Sequence, residues 1–151
     1  MSKFRGRFNY SVDEKGRVNI PAKFRKLLSP DADETFVICR GPDRCLKAFP
    51  QDAWETYEEE KLDKMPENPN AQKILRLIQD SVTDSKLDKQ GRITLTPHQM
   101  KSVGIEKEVV MLGRHRFVEI WDAAWFDQYR GSDQEFDEIY YKAFDSGANG
   151  G

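Results

Sequence analysis

Apolar and polar residues alternate at Phe8, Tyr10 and Val12, break at Asp13-Glu14-Lys15-Gly16, and alternate again at Val18 and Ile20. A period of two around a glycine-bearing break is the pattern of a half-buried β-hairpin, and Gly16 falls where such a turn calls for positive φ. Pro21 then suits the first turn of a helix over Ala22 to Leu28, where a missing N–H costs little. The runs Phe36-Val37-Ile38-Cys39 and Leu46-Lys47-Ala48-Phe49 read as a second hairpin turning near Gly41-Pro42-Asp43. A closing helix is expected from about Asp52, an acceptable N-cap.

The whole pattern then returns. The stretch D-E-K-G-R-V-N-I-P at Asp13 to Pro21 reappears 75 residues later as D-K-Q-G-R-I-T-L-T-P at Asp88 to Pro97. Downstream, Val109-Val110-Met111-Leu112 before Gly113 resembles Phe36 to Cys39 before Gly41, and Val118 to Trp121 resembles Leu46 to Phe49. Trp125 and Tyr129 resemble Trp54 and Tyr57. Each copy reads strand, turn, strand, helix, strand, strand, helix. In the second, Thr96 can cap, Pro97 takes the first helical position, and Gly104 can end the helix in αL. Its later turn lies near Arg114-His115-Arg116, and its closing helix starts near Asp122.

Between the copies, Met65 to Asn70 reads as a loop, and Ala71 to Val82, with Ile74, Leu75, Ile78 and Val82 at helical spacing, as a helix. The expected organisation is a first repeat over 1–64, a connecting loop and helix over 65–82, a second repeat over 83–144 and a disordered tail over 145–151. Neither copy has enough strands to close a barrel. The fold class expected is therefore α+β, two tandem repeats intertwined into one small β-barrel with flanking helices.

Charge changes this picture more than composition does. The 151 residues carry a net charge of -2, and a domain that binds nucleic acid is usually basic as a whole. The charge is segregated, however. Residues 1–28 hold Lys3, Arg5, Arg7, Lys15, Arg17, Lys23, Arg25 and Lys26 against Asp13 and Glu14, whereas residues 51–70 and 122–145 are each strongly acidic. A polyanion is steered by the local field rather than by the total.

Other chemistry finds little support. His98, in a helix, and His115, in a turn, are the only histidines, and no Cys, His or carboxylate cluster has metal-ligand spacing. A nucleophile elbow, a P-loop and a dinucleotide fingerprint are missing, so no enzyme activity, cofactor, metal or small-molecule substrate is expected. Cys39 and Cys45 suit small semi-buried residues better than a bridge. No apolar run approaches the roughly 20 residues that span a bilayer, and the basic start lacks an apolar h-region, so no membrane role is expected.

The doubled turn is the candidate site. Asp13 and Arg17, like Asp88 and Arg92, flank a tight turn, with Gly16 and Gly91 as its structural glycines, and could pair simply as a structural tether. The functional alternative rests on Arg5, Arg7, Lys15 and Arg17 on or beside the first hairpin, and Lys86, Lys89 and Arg92 on the second. A rigid hairpin can enter the major groove, where arginine offers a fork to guanine O6 and N7 and lysines contact phosphate.

These residues resemble the MraZ family of bacterial transcriptional regulators, whose repeats have the AbrB/SpoVT-like swapped-hairpin fold. The resemblance runs from F-R-G-R at Phe4 to Arg7, through D-E-K-G-R-V-N-I-P-A-K-F-R at Asp13 to Arg25, to D-K-Q-G-R-I at Asp88 to Ile93 and the Trp-rich end at Trp121 and Trp125. It implies a cytoplasmic, nucleoid-associated regulator that binds duplex DNA at repeated operator sites upstream of the division and cell-wall gene cluster, its own promoter included, and assembles into homo-oligomeric rings. It places the motif on Asp13, Arg17, Asp88 and Arg92. The second copy departs by having Thr96 before Pro97, so its strand-to-helix junction is expected to differ. The more basic first turn is expected to carry more of the DNA contact. The competing expectation is a protein-interaction module, antitoxin-like, that holds a partner through its acidic C-terminal helices.

Overall fold

The first alternating segment does not fold into the hairpin that its pattern predicts. In the computed structural model, which describes residues 3–149 with side chains as far as Asp145, β1 (Arg7–Ser11) and β2 (Arg17–Asn19) diverge after the Asp13 turn. β1 pairs with β7 (Glu108–Gly113), Phe8 opposite Met111, and β2 pairs with β6 (Arg92–Thr94), Val18 opposite Ile93. β5 (Thr83–Lys86) crosses in the same way to β3 (Thr35–Arg40). Only the second hairpin of each copy stays within its repeat: β3 with β4 (Leu46–Pro50) and β7 with β8 (Val118–Asp122). Alternation specifies which face of a strand is buried and leaves open which strand lies beside it.

The six-stranded antiparallel sheet has the order β1-β7-β8-β4-β3-β5, which reads the same when the repeats are exchanged. Its pseudo-twofold axis passes between β4 and β8, and the separate β2–β6 ribbon straddles it. The expected interleaving is present. The expected barrel is closed by packing rather than by a ring of strand hydrogen bonds, because β1 and β5 remain sheet edges. The ribbon spans between them, its Thr94 N–H donating to Ser85 Oγ at 2.9 Å.

One core lies under the ribbon. Val18, Ile20, Ile93 and Leu95 bury completely or nearly so against Phe4, Phe24, Phe36 and Ile38. The Phe24 ring stands edge-on to Phe4 at 5.1 Å and to Phe8 at 5.0 Å, the geometry that ring quadrupoles favour. Complete burial of such a side chain contributes about 1.5–3 kcal/mol, so four of them fix the ribbon firmly to the sheet.

The strand-to-helix junctions differ between copies, as the Thr96 departure implied. α1 (Ala22–Arg25) follows Pro21, which lies just outside the helix with no side-chain cap. The helix expected to run to Leu28 stops at Arg25, and Leu27 and Leu28 turn more tightly by bonding back three residues to Phe24 and Arg25. α4 (Pro97–Val103) instead has a full capping box from Thr96 and Gln99 and ends at Gly104 with φ 71°. Gln99 is buried where the first copy has Phe24, and its amide donates to Ile38 O, Ser81 O and Thr83 Oγ1. Those hydrogen bonds offset the desolvation of the buried amide and tie the two repeats together.

The helical layer corrects several expected boundaries. α2 (Gln51–Tyr57) has Pro50 at its cap position, while Asp52 accepts from Ser29 Oγ instead. α2 then continues into a single π turn, Glu58–Leu62. Asn68 caps α3 (Pro69–Ser81) by accepting from Ala71 N at 2.8 Å, so the connecting loop is shorter than expected. Asp122 does cap α5 (Ala123–Arg130). α6 (Asp133–Asn149) passes through Asp145, where a disordered tail was expected, because helical apolar spacing extends as far as Phe144; Gly150 and Gly151 lie outside the described residues. Cys39 and Cys45 are buried and unbridged, and burial pushes their thiols up to about 11 and about 12, which leaves them inert.

Four strand pairings cross between repeats, so dividing the chain takes strand partners from both halves. Fragments separated after Pro69 are expected to show no cooperative melt individually by circular dichroism and to regain one when mixed at equal concentration. A cooperative melt from either isolated half contradicts the interleaving.

Candidate nucleic-acid interface

The three residues of each ribbon strand alternate, Val18 and Ile93 facing the core and Arg17, Asn19, Arg92 and Thr94 facing out. Antiparallel register sets Arg17 opposite Thr94 and Asn19 opposite Arg92. Four polar side chains therefore share one outer face at the pseudo-twofold axis, with a motif turn at either end.

Each turn is locked by its aspartate. Asp13 Oδ1 accepts from Lys15 N at 3.0 Å and Arg17 N at 2.8 Å, while Oδ2 accepts from Arg17 Nε at 2.7 Å. Asp88 repeats the set, taking Gln90 N, Arg92 N and Arg92 Nε within 2.9 Å. The tether reading of the Asp–Arg pair is thus realised, and it has a chemical consequence. A carboxylate that engages Nε holds the guanidinium in place and leaves terminal amines for other partners.

The two arginines also meet. Arg92 reaches Asp13 Oδ2 with its Nη1 at 3.7 Å, so both guanidinium groups converge on one carboxylate oxygen. The backbone N–H of Arg17, then its side chain, hold the Asp13 carboxyl below the ordinary 3.8, and Arg92 does the same for Asp88. These carboxylates stay charged wherever the turns are folded at neutral pH.

The turn glycines attach each turn to the opposite repeat. Gly16 O accepts from Leu95 N at 2.8 Å, and Gly91 O accepts from Ile20 N at 3.0 Å. Gly16 has φ 82°, and a Cβ there would run into the Leu95 carbonyl. Gly91, at φ 77°, lies directly under the Arg25 guanidinium. Arg25, which donates from Nε to Ile20 O at 3.1 Å, thereby brings first-repeat charge to the second turn. Interleaving thereby distributes the basic segment over both ends of the ribbon.

The other candidates divide. Lys15 and Lys89 stand exposed at the two turn tips beside the ribbon, and no ion pair holds either among the described residues. Arg7 and Lys86 do not join them. Strand alternation puts both on the outer sheet face, Arg7 over the Phe126 ring and 3.6 Å from Asp127, Lys86 3.4 Å from Asp33. Arg5, exposed next to the Phe4–His115 bridge, lies beyond the end of β1 remote from the Asp13 turn. The expectation that Arg5 and Arg7 lie on or beside a first hairpin assumed a β1–β2 pairing that does not form. Asn19, Thr94 and Arg25 went unselected; the period of two from each motif arginine points to the first two, while nothing local marks Arg25.

Among the described residues no group of three or more His, Cys, Asp or Glu side chains could hold a metal ion, and no helix is long and apolar enough to cross a membrane. The family model described as "MraZ protein, putative antitoxin-like" matches residues 3–77 and again residues 81–145. The chain belongs to the MraZ family. One match falls on each structural repeat, the first running on into α3, and the MraZ family is one of regulators rather than of enzymes. Each matched segment contains one Asp–Arg turn, and the two turns flank one ribbon.

Gly16→Ala is expected to lower stability by on the order of 2 kcal/mol in urea titration, from positive φ alone before the Leu95 clash is added. Acid should act on the same turns. Their carboxylates have folded pKa values below the unfolded 3.8, so their stabilisation is full above that pH and fades as pH falls through the lower folded values. Asp13→Asn with Asp88→Asn should flatten this acid limb of the stability profile, and a limb unchanged in that double variant contradicts the assignment.

Proposed function

We propose that the outer face of the β2–β6 ribbon reads operator DNA, and that the chain regulates transcription from repeated sites upstream of the division and cell-wall gene cluster, including its own promoter. The observation that carries this reading is the convergence of Arg17 and Arg92 on Asp13 beside the outer face of the two-stranded ribbon. Antiparallel β-ribbons fit the major groove, and the Asp-held guanidiniums present forks suited to guanine. Asn19 and Thr94 share that face and offer adenine and thymine contacts. Lys15, Lys89 and Arg25 flank it and supply phosphate contacts, which set affinity and register. Arg5, Arg7 and Lys86 are given no part in base reading.

A single ribbon engages few phosphates, so a homo-oligomeric ring that places several ribbons on successive repeats raises apparent affinity through effective concentration. The nucleoid-associated, cytoplasmic role follows from the same reading.

The test is a gel shift at moderate salt with the DNA upstream of the chain's own gene. Arg17→Ala is expected to cost about 1–3 kcal/mol on specific sites with little change on random duplex. Lys15→Ala should weaken binding to all sequences and reduce the salt slope by about one. Unaltered operator binding by a folded Arg17→Ala protein removes Arg17 from the reading, and no retardation of upstream DNA by the unmodified protein removes the reading itself.

A further inference from the structure

The first helix after each sheet hairpin packs in the same way in both repeats, with one substitution between them. Phe49 stands edge-on to Trp54 at 5.3 Å and beside Tyr57 at 5.0 Å, and Trp121 stands edge-on to Phe126 at 5.1 Å and beside Tyr129 at 4.8 Å. This register makes Phe126 the counterpart of Trp54 and sets Ala53 where the second repeat has Trp125. Counting back from Leu46 and Val118, the first residues of β4 and β8, Arg44 corresponds to Arg116 and Asp43 to His115.

In the second repeat an indole ring occupies the place so defined. Trp125 donates from Nε1 to Asp43 O at 2.8 Å, lies under the Arg44 guanidinium at 4.5 Å and borders the Tyr129 ring at 6.4 Å. A helix of one repeat is thereby sealed against a hairpin turn of the other.

In the first repeat the equivalent place is a cleft of about 530 Å³ between α2 and the β7–β8 turn. Ala53, Tyr57, His115 and Arg116, the counterparts of Trp125, Tyr129, Asp43 and Arg44, all line it, and Phe49 and Phe117, stacked at 4.9 Å, form an aromatic wall. Its rim includes Glu60 and Lys61 of the π turn that extends α2, an irregularity that recurs at functional sites. Arg116 Nη1 lies 4.0 Å from Glu60 Oε2, an exposed pair that holds the guanidinium only weakly. An apolar, aromatic-lined concavity of this volume with a few polar groups at its edge has the character of a small-molecule site.

We propose that this cleft binds a small free heteroaromatic molecule of the indole class, its ring taking in the first repeat the place that Trp125 takes in the second. The Arg116 guanidinium supplies a cation for the ring face, and the His115 carbonyl, which accepts from Phe4 N, retains a second lone pair for a ring N–H. A second copy of the chain has no indole to offer, because Trp54 and Trp121 are buried and Trp125 is held within its own chain. The site lies on the sheet face away from the ribbon: Phe49 packs with Val37 and Cys39, whereas Phe36 and Ile38 face the core beneath Val18 and Ile93. Ligand and DNA therefore take separate faces, and the inference does not rest on the DNA reading.

The experiment titrates indole into the full chain without DNA and follows backbone amide shifts by NMR. Saturable shifts centred on Ala53, Tyr57, His115 and Arg116 are expected, with a Kd of about 1 mM or tighter. Ala53→Trp supplies the ring from the chain itself and is expected to abolish saturable binding with unchanged far-UV circular dichroism. Arg116→Ala is expected to weaken binding about two- to fivefold, the worth of an exposed cation–π contact, and it tests the site even where the tryptophan variant does not fold. The proposal is overturned by a lack of saturable shifts in the unmodified protein, by shifts centred elsewhere, or by undiminished binding in either folded variant. A blocked tripeptide with a central tryptophan that binds more tightly than indole also overturns it, since the occupant is then a side chain of a protein partner.

Discussion

Everything else in this protein depends on the pairing of β2 with β6. Val18 and Ile93 meet at the centre of the ribbon, both completely buried, and the turn glycines accept hydrogen bonds from the strand ends of the opposite repeat. Strands of three residues cannot stand alone. Pairing across the axis gives each a partner, and the shared core holds the ribbon rigid. The same exchange sends β1 to β7 and β5 to β3, so one pairing decision sets the topology of the whole sheet.

The polar outer face proposed to meet DNA follows from that constraint. A ribbon buried on one face must present its alternate residues on the other, and in this chain those are Arg17, Asn19, Arg92 and Thr94. The motif aspartates then act twice. They close the turns through backbone amides, and they hold each arginine by Nε so that little side-chain entropy is lost when the guanidinium meets a ligand. On the proposed reading, the structural tether and the binding device are the same contact.

Pseudo-symmetry is obeyed in the core and relaxed at the periphery. The ribbon, the sheet order and the turn hydrogen bonds are closely equivalent between halves. The junction helices are not: a capping box and buried Gln99 stand in one copy where Pro21 and Phe24 stand in the other. The outer helices diverge furthest, α3 covering its own sheet while α6 projects with its aromatic stripe exposed. Divergence is cheapest where contacts are fewest, and those positions are free to acquire separate roles.

Much of this was legible in the residues alone. The doubled D-x-x-G-R turn, the element order of each repeat, the interleaving and the family resemblance all follow from repetition and period, which are properties of the chain itself. So does the pairing of aspartate with arginine, because both lie within one tight turn. The sequence did not determine which strands lie side by side, and so it placed Arg5 and Arg7 beside the wrong neighbours and missed Arg25 at Gly91. Alternation decides only the buried face of a strand. Its partner, and with it the set of side chains that share a surface, is decided by the burial of Val18 on Ile93, a contact between residues 75 positions apart that only the tertiary structure makes.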